Sequence, residues 1–133
     1  MNEFDEWLSK ASFKSRISFY GQVTQEELTK TYSLCDLYVV SSRVETANVS
    51  MLEAMACGCS VVTTSIGAPE TLINDDVGIA VPTENPKLMA EAILTSSQRK
   101  YNKADLREFV IQNYSKEAVV GKMQEAYKRA LEG

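Results

Sequence analysis

The run from Val49 to Cys57, VSMLEAMAC, is apolar around nearly the whole circumference of a helix. Asn48 or Thr46 can cap this helix at its start, and Gly58 offers a natural end. A helix with apolar side chains on several sides is expected to be buried on several sides. Glu53 is the charged residue in the run, so its carboxylate must be paired, protonated or exposed in a cleft.

Short apolar runs typical of strands alternate with helical patterns on both sides of this segment. Such alternation predicts an α/β fold, with a Rossmann-like, mostly parallel sheet, flanking helices and a helical C-terminal tail. At 133 residues, the chain is expected to form a single domain over residues 1–133. The predicted strands are Arg16–Gly21, Asp36–Ser41, Ser60–Thr64 and Ile79–Val81.

The composition excludes several function classes. Lys and Arg total 14 against 18 Asp and Glu, a formal charge of -4, which gives no broad electrostatic footprint for nucleic acid or an anionic membrane. The absence of histidine excludes an imidazole base or an imidazole metal ligand. No convincing metal-ligand spacing occurs among the carboxylates and thiols, so we expect no metal.

The cysteine content and the hydropathy pattern indicate where the chain works. The 3 cysteines cannot all pair within one chain and are interpreted as structural thiols, which is consistent with a reducing compartment. No apolar run approaches the roughly 20 residues of a membrane span, so no transmembrane segment is expected. The N-terminus lacks the order of a signal peptide, and the predicted location is cytoplasmic.

The start of the central helix is the candidate binding site. Ligands of open parallel sheets bind outside the carboxyl ends of the strands, where the loop after Ser42 is expected to lie. The first-turn amides of Asn48, Val49 and Ser50 suit a phosphate group. Glu45 could accept hydrogen bonds from sugar hydroxyls, and Glu53 from a ribose diol. Two such acceptors beside an anion site suggest a nucleotide sugar.

Several motifs follow one another in the order of a known family. They are the Glu45-x7-Glu53 pair, the run LEAMACG from Leu52 to Gly58, Val61-Val62, Gly67-x-Pro69-Glu70, and upstream ISFYG from Ile17 to Gly21 with Glu27-Leu28, Tyr32 and Cys35-Asp36. With these motifs the chain resembles the retaining glycosyltransferases of family 4, or group 1, which have the two-domain GT-B fold. The resemblance is close over roughly 16–82 and looser in the helical tail.

The resemblance implies that the chain is the donor-binding domain of a sugar-transferring enzyme of carbohydrate biosynthesis. Glu45 would be the catalytic residue contacting hydroxyls of the donor sugar, and Glu53 would bind the ribose hydroxyls of the nucleoside-diphosphate sugar. No cofactor or metal is implied beyond that substrate. The other implied donor-binding residues are Thr46, Ala47, Asn48, Val49 and Ser50, with Tyr20, Gly21, Gln22 and Val23 in a loop bordering the base.

The resemblance also implies parts that this chain lacks. A full family member has an N-terminal acceptor domain, and its donor domain begins with two further strands, so the chain resembles an N-terminally truncated domain that is inactive alone. The absent strands would lie between those at Ile17 and Leu37. Either these two strands pair directly, or their edges associate with another chain, which predicts a rearranged sheet or a homo-oligomer.

Two alternative functions remain open from the sequence. The first is a fragment of a nucleotide-sugar epimerase, which shares the GT-B architecture. The second is a non-catalytic module that binds a nucleotide or a protein. Its support is the turn Thr46-Ala47-Asn48, which stands where the family commonly has Gly-Phe-Gly or a close variant.

Overall fold

The computed structural model describes residues 3–46, 48–67 and 72–132. Three parallel strands, β1 (Leu37–Val40), β2 (Ser60–Thr64) and β3 (Gly78–Val81), form a sheet in the order β1-β2-β3. The helices are α1 (Glu3–Lys10), α2 (Gln25–Leu34), α3 (Val49–Ala56), α4 (Pro86–Gln98), α5 (Lys103–Tyr114) and α6 (Lys116–Glu132), with a 3-10 turn at Lys14–Arg16. The predicted α/β class, the parallel sheet and the helical tail are confirmed.

The alternation of side chains along β2 builds the core on both sides of the sheet. Val61 packs in one cluster with Met51 and Met55 of α3 and Leu106 of α5. Its neighbour Val62 points to the other face and packs with residues of β3 and α4. All five residues of β2 are buried, as expected for the central strand of a sheet covered on both faces.

Local sequence signals set the helix ends. Asn48, one of the two predicted candidates, caps α3, and Asn85, followed by Pro86, caps α4. Thr24 and Glu27 form the reciprocal capping box of α2, and the hydrogen bonds from Thr24 lower the pKa of the Glu27 carboxyl. At the other end of α3, Gly58 has φ +92°, a left-handed conformation that glycine adopts without strain.

The predicted strand Arg16–Gly21 is wrong. Lys14–Arg16 is a 3-10 turn, and 17–20 is in no strand, although Ile17 has extended angles of φ -109° and ψ 129°. Ile17 and Phe19 are 37% and 69% exposed. The residues therefore have the local conformation of a strand, but no strand among the described residues lies beside them to accept their backbone hydrogen bonds. Direct pairing with β1, one of the two sequence-based alternatives, does not occur.

The structure also bears on the thiols and on membrane insertion. Cys35, Cys57 and Cys59 are free, and the buried Cys59 thiol donates a hydrogen bond to the Tyr32 carbonyl over 2.9 Å. Burial raises the pKa of Cys59 to about 11. Within the described ranges, no helix has the length and apolar character needed to cross a bilayer.

Candidate functional site

The loop between β1 and α3 is attached to the carboxyl end of the neighbouring strand β2. The Thr64 hydroxyl, at the end of β2, donates to the carbonyl of Ser42 over 2.7 Å. Gly67 has φ +60°, and a Cβ atom there would lie 2.5 Å from the carbonyl oxygen of Glu45. Only glycine allows the two loops to approach this closely. The loops after β1 and β2 thus meet at one edge, as predicted for a ligand site.

Asn48 links the two halves of the β1–α3 loop. Its Oδ1 accepts hydrogen bonds from the Met51 amide at 2.9 Å and from the Ser50 hydroxyl at 2.7 Å. Its Nδ2 donates to Oε2 of Glu45 over 3.2 Å, and the Ser42 hydroxyl donates to the same oxygen over 3.3 Å. One buried amide therefore caps α3 and orients the Glu45 carboxylate.

The hydroxyl of Ser50 continues this network to the sheet. It lies 2.9 Å from the Tyr38 hydroxyl on β1. Because Ser50 has a single hydroxyl proton and gives it to Asn48, Tyr38 must be the donor to Ser50. The Tyr38 ring in turn packs edge-on against Tyr32, at 5.5 Å between ring centres.

Burial keeps the Tyr32 hydroxyl of this pair protonated. The pKa of Tyr32 is raised to about 12, chiefly because burial disfavours the phenolate, with Tyr38 and Glu53 adding to the effect.

Glu53 lies one turn into α3, on the same side as Val49. Val49 is 62% exposed, whereas Met51, Ala54 and Met55 are fully buried, so the helix is covered on most sides but open along this one. Glu53 is partly buried, and its Oε1 accepts a hydrogen bond from Gln25 Nε2 over 3.3 Å. The carboxylate is thus paired through a hydrogen bond and is partly exposed. The sequence had left open whether it is paired, protonated or exposed.

Both glutamates retain acceptor capacity. Among the described residues, no hydrogen bond reaches Oε1 of Glu45 or Oε2 of Glu53. The helical hydrogen bonds of α3 begin with the amides of Met51 and Leu52, which leaves the amides of Val49 and Ser50 outside that ladder. The site therefore holds two N–H groups outside the helical ladder and two carboxylate oxygens without a described hydrogen bond.

The remaining predicted site residues are placed as follows. Thr46 is exposed, and Ala47 lies outside the described residues, as do Pro69 and Glu70 of the Gly67 motif. The loop from Tyr20 to Val23 leads directly into α2, whose first residue, Gln25, contacts Glu53; Tyr20 and Gln22 are exposed, and Gly21 has φ +62°. This contact places the start of α2, and the loop before it, on the Glu53 side of α3.

Arg43 does not reach the α3 amides through any hydrogen bond or ion pair within the described ranges. It pairs with Glu84 at 3.4 Å, with both side chains mostly exposed. The two residues border a cavity of about 210 Å³ at the carboxyl ends of the strands, together with Ser41, Thr64 and Pro82. Such an exposed ion pair contributes little to stability.

Sequence reasoning missed three residues that orient the site, namely Gln25, Tyr38 and Ser42. Ser42 could have been found, because it follows directly after a predicted strand at the ligand edge. Tyr38 and Gln25 gave no local signal, since their contacts with Ser50 and Glu53 depend on how β1 and α2 pack against α3.

Comparison with known proteins assigns the family. The profile of the family described as glycosyl transferases group 1 matches residues 2–98. The chain belongs to the group 1 glycosyltransferases. This match covers the sheet, α3 with both glutamates, and the loop that holds Glu45, and it confirms the resemblance found in the sequence motifs.

Individual relatives agree with this assignment. The group 1 glycosyltransferase chain is 31% identical over 124 residues to an uncharacterised glycosyltransferase of Methanocaldococcus jannaschii, covering 90% of this chain and 32% of the relative. It is 33% identical over 94 residues to the lipopolysaccharide core biosynthesis mannosyltransferase LpsB of Rhizobium meliloti, covering 68% and 26%. The chain thus spans about a third or less of the length of these relatives.

A solved structure supports the fold. Sucrose-phosphate synthase from Thermosynechococcus elongatus superposes with a TM-score of 0.79 at 26% identity, covering 96% of this glycosyltransferase chain and 33% of that chain. The similarity extends over nearly all of the present chain, including the helical tail. The arrangement of three strands with α3 and α4 on opposite faces is therefore that of a glycosyltransferase domain.

Proposed function

We propose that this chain is the donor-binding part of an enzyme that transfers a sugar from a nucleoside-diphosphate sugar to an acceptor. The observation that carries the proposal is the hydrogen-bonded loop in which Asn48 holds Glu45 beside the first turn of α3, with Glu53 one turn further on. The diphosphate would bind at the Val49 and Ser50 amides, and the helix dipole would stabilise its charge.

The two glutamates would bind different parts of the donor. Oε1 of Glu45 is available to accept hydrogen bonds from hydroxyls of the transferred sugar, and Oε2 of Glu53 is available for the ribose hydroxyls. Thr46, Ala47 and the loop Tyr20–Val23 would border the sugar and the base. Catalysis would rest on holding the donor and stabilising the departing diphosphate, and it would involve neither a metal nor a further cofactor.

The acceptor would bind to a part of the relatives that this chain does not span, so the 133-residue chain is expected to bind donors without transferring sugar. Free thiols at Cys35, Cys57 and Cys59 suit a reducing compartment, and a cytoplasmic location is part of the proposal.

Calorimetric titration with nucleoside diphosphates and with nucleotide sugars tests the assignment of the two glutamates. Glu53→Gln should weaken the binding of a nucleoside diphosphate about tenfold, because one hydrogen bond to a charged acceptor is lost. Glu45→Gln should leave the affinity for the nucleoside diphosphate unchanged and lower the affinity for the nucleotide sugar by a similar factor, because only the sugar would contact Glu45. Glu91→Gln, on the exposed surface of α4, is the matched control.

A 2′-deoxynucleoside diphosphate sharpens this test. If Glu53 binds the ribose diol, the deoxy ligand should bind more weakly to the unmodified chain. Glu53→Gln should then weaken the binding of the deoxy ligand little further. Binding that is unchanged by both substitutions would show that the glutamates do not hold the donor.

We further propose that the outer edge of β1 associates with a second copy of the isolated chain. Among the described residues β1 pairs only with β2, and Val39 on this edge strand is 41% exposed. Sedimentation velocity should show a dimer that Val39→Lys dissociates, because lysine on an edge strand opposes pairing. Val44→Lys, at an 83% exposed loop position, should sediment as the unmodified chain does. An unmodified chain that is monomeric throughout would refute the association.

A further inference from the structure

A cavity of about 470 Å³ lies at the opposite edge of the sheet from the donor site. Leu37 and Ser60, the first residues of β1 and β2, line it, which places it at the amino ends of these strands. The segment from Ser96 to Lys103, which joins α4 to α5, lines the other side. The volume is in the range of pockets that hold small molecules.

Ser96, whose buried hydroxyl has no partner among the described residues, lines this cavity. Ser96 is 2% exposed, and its Oγ makes no hydrogen bond to any described residue. A serine or threonine within a helix commonly donates to a carbonyl three or four residues earlier. Thr29, Thr31, Ser33 and Ser97 of this chain all do so, at 2.7–2.9 Å. Ser96 does not, so its hydroxyl proton has no acceptor among the described residues.

Tyr101 contributes a second hydroxyl of the same kind. Tyr101 lines the same cavity, and its buried Oη has no aligned hydrogen bond to a described residue. The Arg99 guanidinium lies close enough for its interaction with the Tyr101 hydroxyl to raise the pKa of Arg99. A guanidinium can only donate, so the protons of both the Tyr101 and the Ser96 hydroxyls have no acceptor among the described residues. Two buried donors without an acceptor are costly, which points to a ligand or water that accepts from both.

The charge around the cavity determines which acceptor fits. Arg99, Lys100 and Lys103 line it, against the single carboxylate of Asp36 in the same lining. Lys103 lies 3.9 Å from Asp36, whose side chain is 97% exposed, so this pair neutralises little charge. Arg99 lies 3.7 Å from the exposed carboxylate of Asp75, and Lys100 forms no ion pair within the part of the chain that the structure describes. An acceptor with negative charge is therefore favoured over a neutral one.

We propose that this amino-edge cavity binds the phosphate group of a small phosphate monoester, with the Ser96 and Tyr101 hydroxyls as hydrogen-bond donors and Arg99, Lys100 and Lys103 as the positive charges. A phosphate has enough oxygens to accept from both hydroxyls and from the cations at once. The site is separate from the donor site and does not depend on the donor-binding proposal.

The test is a titration of the ¹⁵N-labelled 133-residue chain in phosphate-free buffer, with inorganic phosphate, glycerol phosphate and glycerol as probes. Both phosphate compounds should cause saturable amide shifts at Ser96–Lys103 and Leu37, whereas glycerol should cause none. Tighter binding of glycerol phosphate would identify an ester site, and equal affinity would identify a site for the phosphate group alone.

Ser96→Ala should weaken phosphate binding about tenfold and leave thermal stability unchanged or higher, because it removes a hydroxyl that has no partner in the protein. Tyr101→Phe is the second variant, with the same expectation. Lys100→Gln should also weaken binding, whereas Lys87→Gln, at the other end of α4, should not. Shifts confined to Ser50 and its neighbours, or an unchanged affinity in both hydroxyl variants, would overturn the proposal.

Discussion

Replacing Gly78 with alanine is expected to destabilise the chain by about 3 kcal/mol, because the added methyl group overpacks the centre of the sheet. Gly78 is buried at the start of β3, where it lies opposite Val61 of β2. A Cβ atom at this position would overlap the carbonyl oxygen of Val61. That oxygen belongs to the backbone of the central strand, so it cannot move without disturbing the ladder between β2 and β3.

Gly121→Ala is the matched control. Gly121 lies within α6, and nothing lies within 4 Å of a Cβ atom built there. The same added methyl group should therefore stabilise the chain by up to about 1 kcal/mol, through the higher helix propensity of alanine. Urea denaturation of the two variants measures both effects. If Gly78→Ala lowers the free energy of unfolding by no more than a surface substitution does, the result contradicts the close approach of β2 and β3.

Asn48→Ala is expected to cost about 2 kcal/mol, at the upper end for loss of a helix cap. The substitution removes the cap on the Met51 amide, the acceptor for the Ser50 hydroxyl and the donor to Glu45. Asn48 is 8% exposed, so water can replace these hydrogen bonds only in part. The variant should also bind a nucleotide sugar more weakly, because Glu45 loses the amide that orients it.

Asn85→Ala measures the effect of losing a helix cap alone, without the loss of hydrogen bonds to Glu45 and Ser50. Asn85 caps α4 through one hydrogen bond, from the Leu88 amide at 3.0 Å, and it makes no contact with Glu45. Its loss should cost about 1 kcal/mol and leave nucleotide-sugar affinity unchanged. If the two variants lose equal stability, Asn48 acts as a cap alone and its hydrogen bonds to Glu45 and Ser50 contribute nothing measurable.

Local signals in the sequence were sufficient for most of the fold. The caps at Thr24, Asn48 and Asn85 act within a few residues, so the helix starts follow from residue identity. The predicted strand Ser60–Thr64 is β2, with the same bounds. Thr46-Ala47-Asn48, in place of the glycine-rich turn of the family, still provides a capped helix, because the Asn48 side chain supplies the hydrogen bond itself.

The segment at Ile17 shows where local signals fail. Its alternation of apolar and polar residues is typical of a strand, and its backbone at Ile17 is extended. A strand, however, is defined by hydrogen bonds to a neighbour, and the described part of the chain offers none at this position. The Phe19 ring instead packs edge-on against Phe4 of α1, at 6.3 Å between ring centres.

The sequence by itself determined the buried α3 helix, with Asn48 or Thr46 as its cap, the alternation of strands and helices, and the family that the motif with Glu45 and Glu53 indicates. These features depend on periodicity and on interactions between residues close together in the chain. The tertiary structure decided that Gln25 contacts Glu53 and that Tyr38 supports Ser50. It also decided that a cavity lined by Arg99, Lys100 and Lys103 forms at the amino ends of the strands. Such groups meet only when α2, α4 and α5 pack against the sheet, and no local pattern specifies that packing.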